Sequence, residues 1–119
     1  MKKIVVISLG GSLIFPKGGI DVRFLKQFRL FILRYMRKGW RFVIITGGGT
    51  IARQYQDALQ RSGVASRVEH DWIAIRVTRV NAHLLRILFG RYAHDTVIMK
   101  PTEVYAEAFG NKKILLAGG

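Results

Sequence analysis

Cysteine is absent from the 119 residues, which excludes a disulfide framework or a thiolate zinc site and is compatible with a reducing compartment. Acidic residues are scarce, 7 against 20 lysines and arginines, and none falls between Val22 and Gln56. No apolar run is long enough to span a bilayer. The opening Met1-Lys2-Lys3 before Ile4 to Leu9 has the look of a secretion signal. That run is short, ends in Gly10-Gly11 and lacks a small-residue cleavage site, so it reads as a buried strand. Repeats, linkers and low-complexity segments are missing, which leaves one domain. His70, His83 and His94 lack the spacing of metal ligands and read as surface or boundary residues. Neither a Ser-His pair nor a pair of acid-base carboxylates stands out.

What is present is a chain that is 50% apolar, enough for a packed core, with a formal charge of +13. A field of that sign favours anionic partners: a nucleotide, nucleic acid or an acidic membrane surface would each satisfy it. The charge therefore names a class of partner and no more.

Four consecutive large aliphatics make Lys3 to Ser8 a strand expected to be covered on both faces. Leu9 to Gly19 reads as loop. Asp21 can cap a helix to about Lys38, with Leu25, Phe28, Ile32 and Tyr35 at helical spacing, and Gly39 ends it. Trp40 to Thr46 is a second buried strand, leading through Gly47-Gly48-Gly49 into a helix from Thr50 to Gln60. A longer helix is expected over 69 to 89. Its apolar face would be Ile73, Val77, Val80, Leu84 and Leu88, beside a basic stripe of Arg76, Arg79, His83 and Arg86. Val97 to Met99 reads as a short strand, Thr102 to Phe109 as a short helix and Lys113 to Ala117 as a final buried strand. This alternation predicts an α/β fold, a three-layer α/β/α sandwich with a mostly parallel sheet. Trp40 and Trp72 read as packing residues.

Two glycine clusters follow predicted strands, Ser8-Leu9-Gly10-Gly11-Ser12 and Thr46-Gly47-Gly48-Gly49-Thr50. In parallel α/β sheets the carboxyl ends of the strands form the ligand-binding edge. Glycine lets the backbone approach a phosphate, and the N–H groups at a helix start donate to its oxygens. Taken singly, each cluster fits an ordinary tight turn. Two on one edge fit a phosphoryl donor and acceptor, which need adjacent anion sites. Arg53, one helical turn beyond Gly49, can fold its guanidinium back toward such an anion. No Gly-Lys-Ser or Gly-Lys-Thr follows either cluster, and a dinucleotide fingerprint is also missing.

Leu9-Gly10-Gly11-Ser12 after a strand, Thr46-Gly47-Gly48-Gly49 with Ala52-Arg53, and Asp71-Trp72-Ile73-Ala74-Ile75 with Thr78-Arg79 and Asn81-Ala82 together resemble the amino acid kinase family. The similarity is specifically to its uridylate kinase branch of archaeal type or close bacterial relatives. It runs in order along the whole chain, and the third segment is the most discriminating. It implies transfer of the ATP γ-phosphoryl group to UMP in pyrimidine nucleotide biosynthesis, with Mg2+ accompanying ATP, in a cytoplasmic homo-oligomer. It further implies that Ser8, Leu9, Gly10, Gly11 and Ser12 line the phosphates where transfer occurs. Gly48 would contact UMP, Gly49 and Arg53 would face the transferred phosphate, and Asp71 would bind the ribose. Alone, Asp71 also fits a helix N-terminal charge stabilised by the dipole. The family pattern departs at Ser8, where many members carry lysine, at Thr50 for a common lysine and at Ala74 for a common glycine. In the family a strand like Ile114 to Ala117 continues into a segment that closes over UMP and then into the ATP half. Residues 1–119 are therefore expected to be the N-terminal acceptor half, incomplete at the C-terminus, without turnover alone. A different acceptor in the same family, and a noncatalytic basic module that binds nucleotide or nucleic acid, are the alternatives.

Overall fold

The computed structural model of the chain describes residues 3–100 and 106–119. Strand β1 (Lys3–Leu9) is followed by a single helical turn, α1 (Gly11–Ile14), and by helix α2 (Val22–Met36). Strand β2 (Trp40–Thr46), helix α3 (Gly49–Arg61), helix α4 (Arg67–Phe89) and strand β3 (Ile114–Gly118) complete the order, with 3-10 turns at Gly90–Tyr92 and Ala106–Phe109. The three strands form one parallel sheet in the order β1-β2-β3. The α/β class and the parallel sheet are those expected from the alternation of elements. Of the expected helix over 102 to 109, the first residues lie outside the described ones, and Ala106–Phe109 is 3-10.

Local chemistry sets the ends of the helices. The Asp21 carboxylate accepts from the Phe24 N–H at 2.9 Å, capping α2 where the sequence places a cap. Gly39, at φ +96°, then lets the chain reverse into β2. Ser66 caps α4 by accepting from Glu69 N–H, so that helix starts two residues earlier than expected. At its other end, Arg29 Nε of α2 donates to Leu88 O at 3.0 Å, placing a cation on carbonyls the last turn leaves open.

The core lies on one face of the sheet. Val5 and Ile7 of β1, Phe42 and Ile44 of β2, and Ile114 and Leu116 of β3 meet Leu25, Ile32 and Leu33 of α2 and Ala82, Leu85 and Phe89 of α4. On the other face, Val43 and Leu115 are covered by Phe109. Farther along it, Val6, Val43, Ile45 and Ala117 open into a groove of about 600 Å³.

Three expectations are corrected. Strand β1 is not covered on both faces: it is an edge strand, and Ile4 and Val6 are 43% and 59% exposed because among the described residues the helices pack on the face of Val5 and Ile7. The buried face of α4 is Val77, Thr78, Asn81, Ala82, Leu85 and Phe89, while Val80 is 65% exposed and Leu84 and Leu88 are only partly buried. The face is rotated because Thr78 and Asn81 turn inward to serve backbone carbonyls. Finally, Val97 to Met99 does not form a strand. It touches β3 at one isolated bridge, Ile98 with Ala117; a second, Ala93 with Ile114, lies upstream, and the Thr96 N–H turns to His94 Nδ1 between them.

Candidate functional site: two abutting glycine turns

The carboxyl ends of β1 and β2 are in register, Leu9 beside Thr46, so the turns that follow them emerge side by side. They are in direct contact. Gly47 N–H donates to Leu9 O at 3.2 Å, and Thr50 donates both its N–H and its hydroxyl to Phe15 O, at 3.3 and 2.7 Å. A Cβ on Gly11 would collide with Gly49 N and lie 2.7 Å from the carbonyl carbons of Gly47 and Gly48. Glycine is therefore required at 11 by proximity. At Gly49 it is required twice over, since φ is +66° and a Cβ would fall 2.6 Å from Gly11 O. Thr50, where the family commonly has lysine, has a structural part here as the stitch between the turns.

Around this seam the residues singled out in the sequence take distinct positions. Gly10 is exposed and precedes α1, with Ser12, also exposed, one residue further on than Gly11. Ser8 is exposed as well, but it alternates with Leu9 and so projects from the opposite face of β1 to the core. Leu9 is buried, with its side chain in the core and its carbonyl engaged by Gly47. Gly48 and Gly49 begin α3, and among the described residues no backbone acceptor takes their N–H groups. Arg53 is exposed one turn along α3, on the side of Gly49. The structure thus gathers Gly10, Gly11, Ser12, Gly48, Gly49 and Arg53 on one edge of the sheet.

Asp71 arrives from a different direction. Helix α4 crosses behind the second turn, where a Cβ on Gly48 would sit 3.8 Å from Ala74 O and 3.7 Å from Thr78 Cγ2. Asp71 precedes Ala74 by one helical turn and shares a stripe with Ile75 and Thr78. Its exposed carboxylate borders a pocket of about 420 Å³ between α3 and α4, together with Gln56, Arg67 and His70. Gln56 Nε2 donates to His70 O at 3.1 Å across the same gap.

The histidines lie at the surface or its boundary, His83 exposed and His70 and His94 half-buried. His70 Nε2 lies 2.8 Å from Val64 O, His83 Nδ1 accepts from Arg86 Nε at 3.3 Å, and His94 Nδ1 accepts from Thr96 N–H. Trp40 packs edge-on to Tyr35, as expected. Trp72 departs from expectation: it is about half exposed and lines the groove on the open face of the sheet, near Arg79, Gly118 and Gly119. Arg79 leaves the expected basic stripe for the same reason, its stem lying against Gly118.

Composition and spacing did not single out a role for Thr46, Thr78 and Asn81, the buried polar side chains among the described residues. Thr46 Oγ1 donates to Thr78 O at 3.0 Å, Thr78 Oγ1 donates to Ile75 O at 2.6 Å and lies 3.1 Å from Gly119 O, and Asn81 Nδ2 donates to Gly47 O at 2.8 Å and Gly48 O at 3.3 Å. The signal that could have found them is their place inside the most discriminating segment, where polar side chains occupy positions on a helix that otherwise turns inward.

Backbone N–H groups gathered at the carboxyl edge of a parallel sheet, with an exposed arginine one turn along the following helix, are the geometry of an α/β domain suited to an anionic ligand. Residues 3–115 match the model of the amino acid kinase family, and the chain belongs to that family. A uridylate kinase of Methanospirillum hungatei is 38% identical over 114 residues, covering 96% of this chain and 47% of its own length. One from Methanosarcina barkeri is 35% identical over 116 residues, covering 98% of this chain and 48% of its own. The crystal structure of uridylate kinase from Archaeoglobus fulgidus superposes with a TM-score of 0.80 at 27% identity, over 98% of this chain and 50% of that one. The chain spans about half the length of the curated relatives it matches.

Proposed function

We propose that this chain forms the UMP-binding, phosphate-acceptor half of an ATP-dependent uridylate kinase. The observation that carries the reading is the seam between the two glycine turns, with Arg53 one helical turn along α3 and α4 crossing behind Gly48. The likeness to relatives named uridylate kinase supports it over another acceptor or a nucleic-acid module. In this reading the α-phosphate of UMP rests on the N–H groups of Gly48 and Gly49, with Gly10, Gly11 and Ser12 of the first turn facing the phosphoryl group that arrives. Phosphoryl transfer needs little covalent chemistry from the protein, only reactants held in line and charge neutralised as it spreads over the equatorial oxygens. Backbone N–H groups and the Arg53 guanidinium supply that charge. No nucleophile or acid-base pair is required of these residues.

Asp71 selects the acceptor through its ribose. A carboxylate is acceptor-only and can receive both ribose hydroxyl protons. Among the described residues no three His, Asp or Glu side chains gather, and Mg2+ carried with ATP is held largely by phosphate oxygens and water. Donor, metal and the remainder of the reaction belong to the other half of the relatives' length. The same described residues include no helix long and apolar enough to cross a membrane.

Asp71→Asn tests the reading in a protein that carries both halves. The amide accepts at its oxygen only and adds unwanted donors. UMP affinity should fall about 10- to 100-fold, the range for losing a charge-assisted hydrogen bond, while ATP affinity stays within about twofold. Calorimetric titration with each nucleotide reads both. Equal losses would assign Asp71 to the folding of α4 and remove the ribose role.

A further inference from the structure

Asparagine inside a helix is unfavourable, and burying it adds a desolvation cost that only good partners offset. Asn81 is 1% exposed and sits past the middle of α4. Its partners are two carbonyls of the second glycine turn, Gly47 O at 2.8 Å and Gly48 O at 3.3 Å. Those carbonyls have left the sheet ladder, which for β2 ends at Thr46. The peptide unit is planar and trans, so C=O and the N–H of the next residue point in opposite directions. Drawing Gly47 O toward α4 therefore turns Gly48 N–H away from it, and drawing Gly48 O inward turns Gly49 N–H away too. Neither N–H group has a backbone acceptor among the described residues. Gly49 N lies against Gly11, which places that donor at the seam with the first turn.

A second tie runs alongside. Thr46, the last residue of β2, donates its hydroxyl to Thr78 O and accepts at its carbonyl from Gly119 N–H at 2.8 Å. Thr78 Oγ1, which donates within α4 to Ile75 O at 2.6 Å, lies 3.1 Å from Gly119 O. A Cβ on Gly118 would fall 2.8 Å from Thr78 Oγ1, so the end of β3 is pressed onto this turn of α4. Thr46, Thr78 and Asn81 thus form one buried polar set that joins α4 to the carboxyl ends of both β2 and β3.

We propose that Asn81 is a positioning residue for the acceptor phosphate: its side-chain amide fixes the peptides of Gly47 and Gly48 so that the Gly48 and Gly49 N–H groups face the seam. Through Thr78, the same helix sets the end of β3 against that turn. The proposal rests on the reading of the seam as the acceptor-phosphate site. Asn81 touches no ligand itself and acts through the backbone it holds.

The test compares the 119-residue chain with Asn81→Asp, which is the same size and presents an acceptor where the turn needs a donor, and with Asn81→Ala. Backbone amide exchange followed by NMR should speed up at least about tenfold at Gly47, Thr50 and Ala52, whose N–H groups donate to the carbonyls of Leu9, Phe15 and Gly48, in both variants, and the Gly48 and Gly49 amide resonances should shift. Ile44 and Leu116, in the strands, should remain protected. UMP affinity should fall about tenfold or more. Unchanged exchange at Gly47, Thr50 and Ala52 with unshifted Gly48 and Gly49 resonances, or a uniform rise across all strands, would overturn the positioning role. If neither variant folds, wild-type spectra decide it. The Asn81 Nδ2 protons should exchange slowly and shift on UMP addition together with Gly48 and Gly49, and fast-exchanging or unshifted Nδ2 protons would refute it. Ordered turn amides that depend on Asn81 in a chain that does not bind UMP would count against the acceptor-site reading and leave the clamp standing.

Discussion

Replacing Gly11 with alanine should cost this domain about 3 kcal/mol or more, the upper end for forcing extra atoms into a packed site. The reason is what the new methyl group would meet. Most core substitutions press on side chains that can change rotamer, whereas the Cβ at 11 collides with Gly49 N and crowds the carbonyl carbons of Gly47 and Gly48. Relief requires the two turns to separate, which breaks the Gly47 to Leu9 and Thr50 to Phe15 hydrogen bonds and opens the seam. Gly10→Ala is the control. Its Cβ would meet only Ser12 Oγ at 4.0 Å, and Gly10 already has φ −59°, so stability should change by less than about 0.5 kcal/mol. Urea denaturation of the two variants beside the wild type reads the difference. Similar midpoints for all three would mean that the turns are not in contact.

The second large effect is expected for catalysis. The 119 residues acting alone, incubated with ATP, Mg2+ and UMP, should form UDP at least about a thousandfold more slowly than a full-length relative. Holding donor and acceptor in line supplies much of the barrier reduction in such reactions. The chain matches less than half of the length of the uridylate kinase from Methanospirillum hungatei, and the proposed site accounts for the acceptor side only. Edge strand β1 bears on the same point, since it leaves Ile4 and Val6 exposed, an apolar edge of the kind that other elements normally cover. Turnover within about tenfold of the relative, lost on Arg53→Ala, would show that the acceptor half suffices.

Much of this was legible in the sequence where a local rule decides. Asp21 announced the start of α2 and Gly39 its end because caps and left-handed turns depend on neighbouring residues alone. The glycine clusters announced their turns for the same reason, and the resemblance along Leu9 to Ala82 indicated the family. What failed depended on distant parts of the chain. Strand β1 carries an unbroken apolar run, yet whether its second face is covered is a property of other elements. The inward face of α4 was misplaced because periodicity counts apolar residues. Here Thr78 turns inward against Gly118 and Asn81 toward carbonyls more than 30 positions away, while Val80 turns out. Trp72 and Arg79 were assigned by type, to packing and to a basic stripe, and the groove they line exists only once β3 is in place. Within the candidate site, the sequence marked the two glycine turns, which the fold brings into contact, and Arg53, one helical turn along α3. It could not show that Leu9 lends a carbonyl and core packing, or that Ser8 lies on the opposite face of its strand.

The central claim, an acceptor half that recognises UMP, is tested most directly by calorimetric titration of the purified 119-residue chain with UMP, CMP, AMP and duplex DNA at two salt concentrations. The account predicts saturable one-to-one binding of UMP, at least about tenfold tighter than CMP or AMP. Duplex DNA should compete little, and the salt dependence should be shallow compared with that of a protein that neutralises many phosphates. Equal affinity for the three nucleotides, or tight DNA binding that collapses steeply with added salt, would contradict it and make the +13 charge the signature of a nucleic-acid binder.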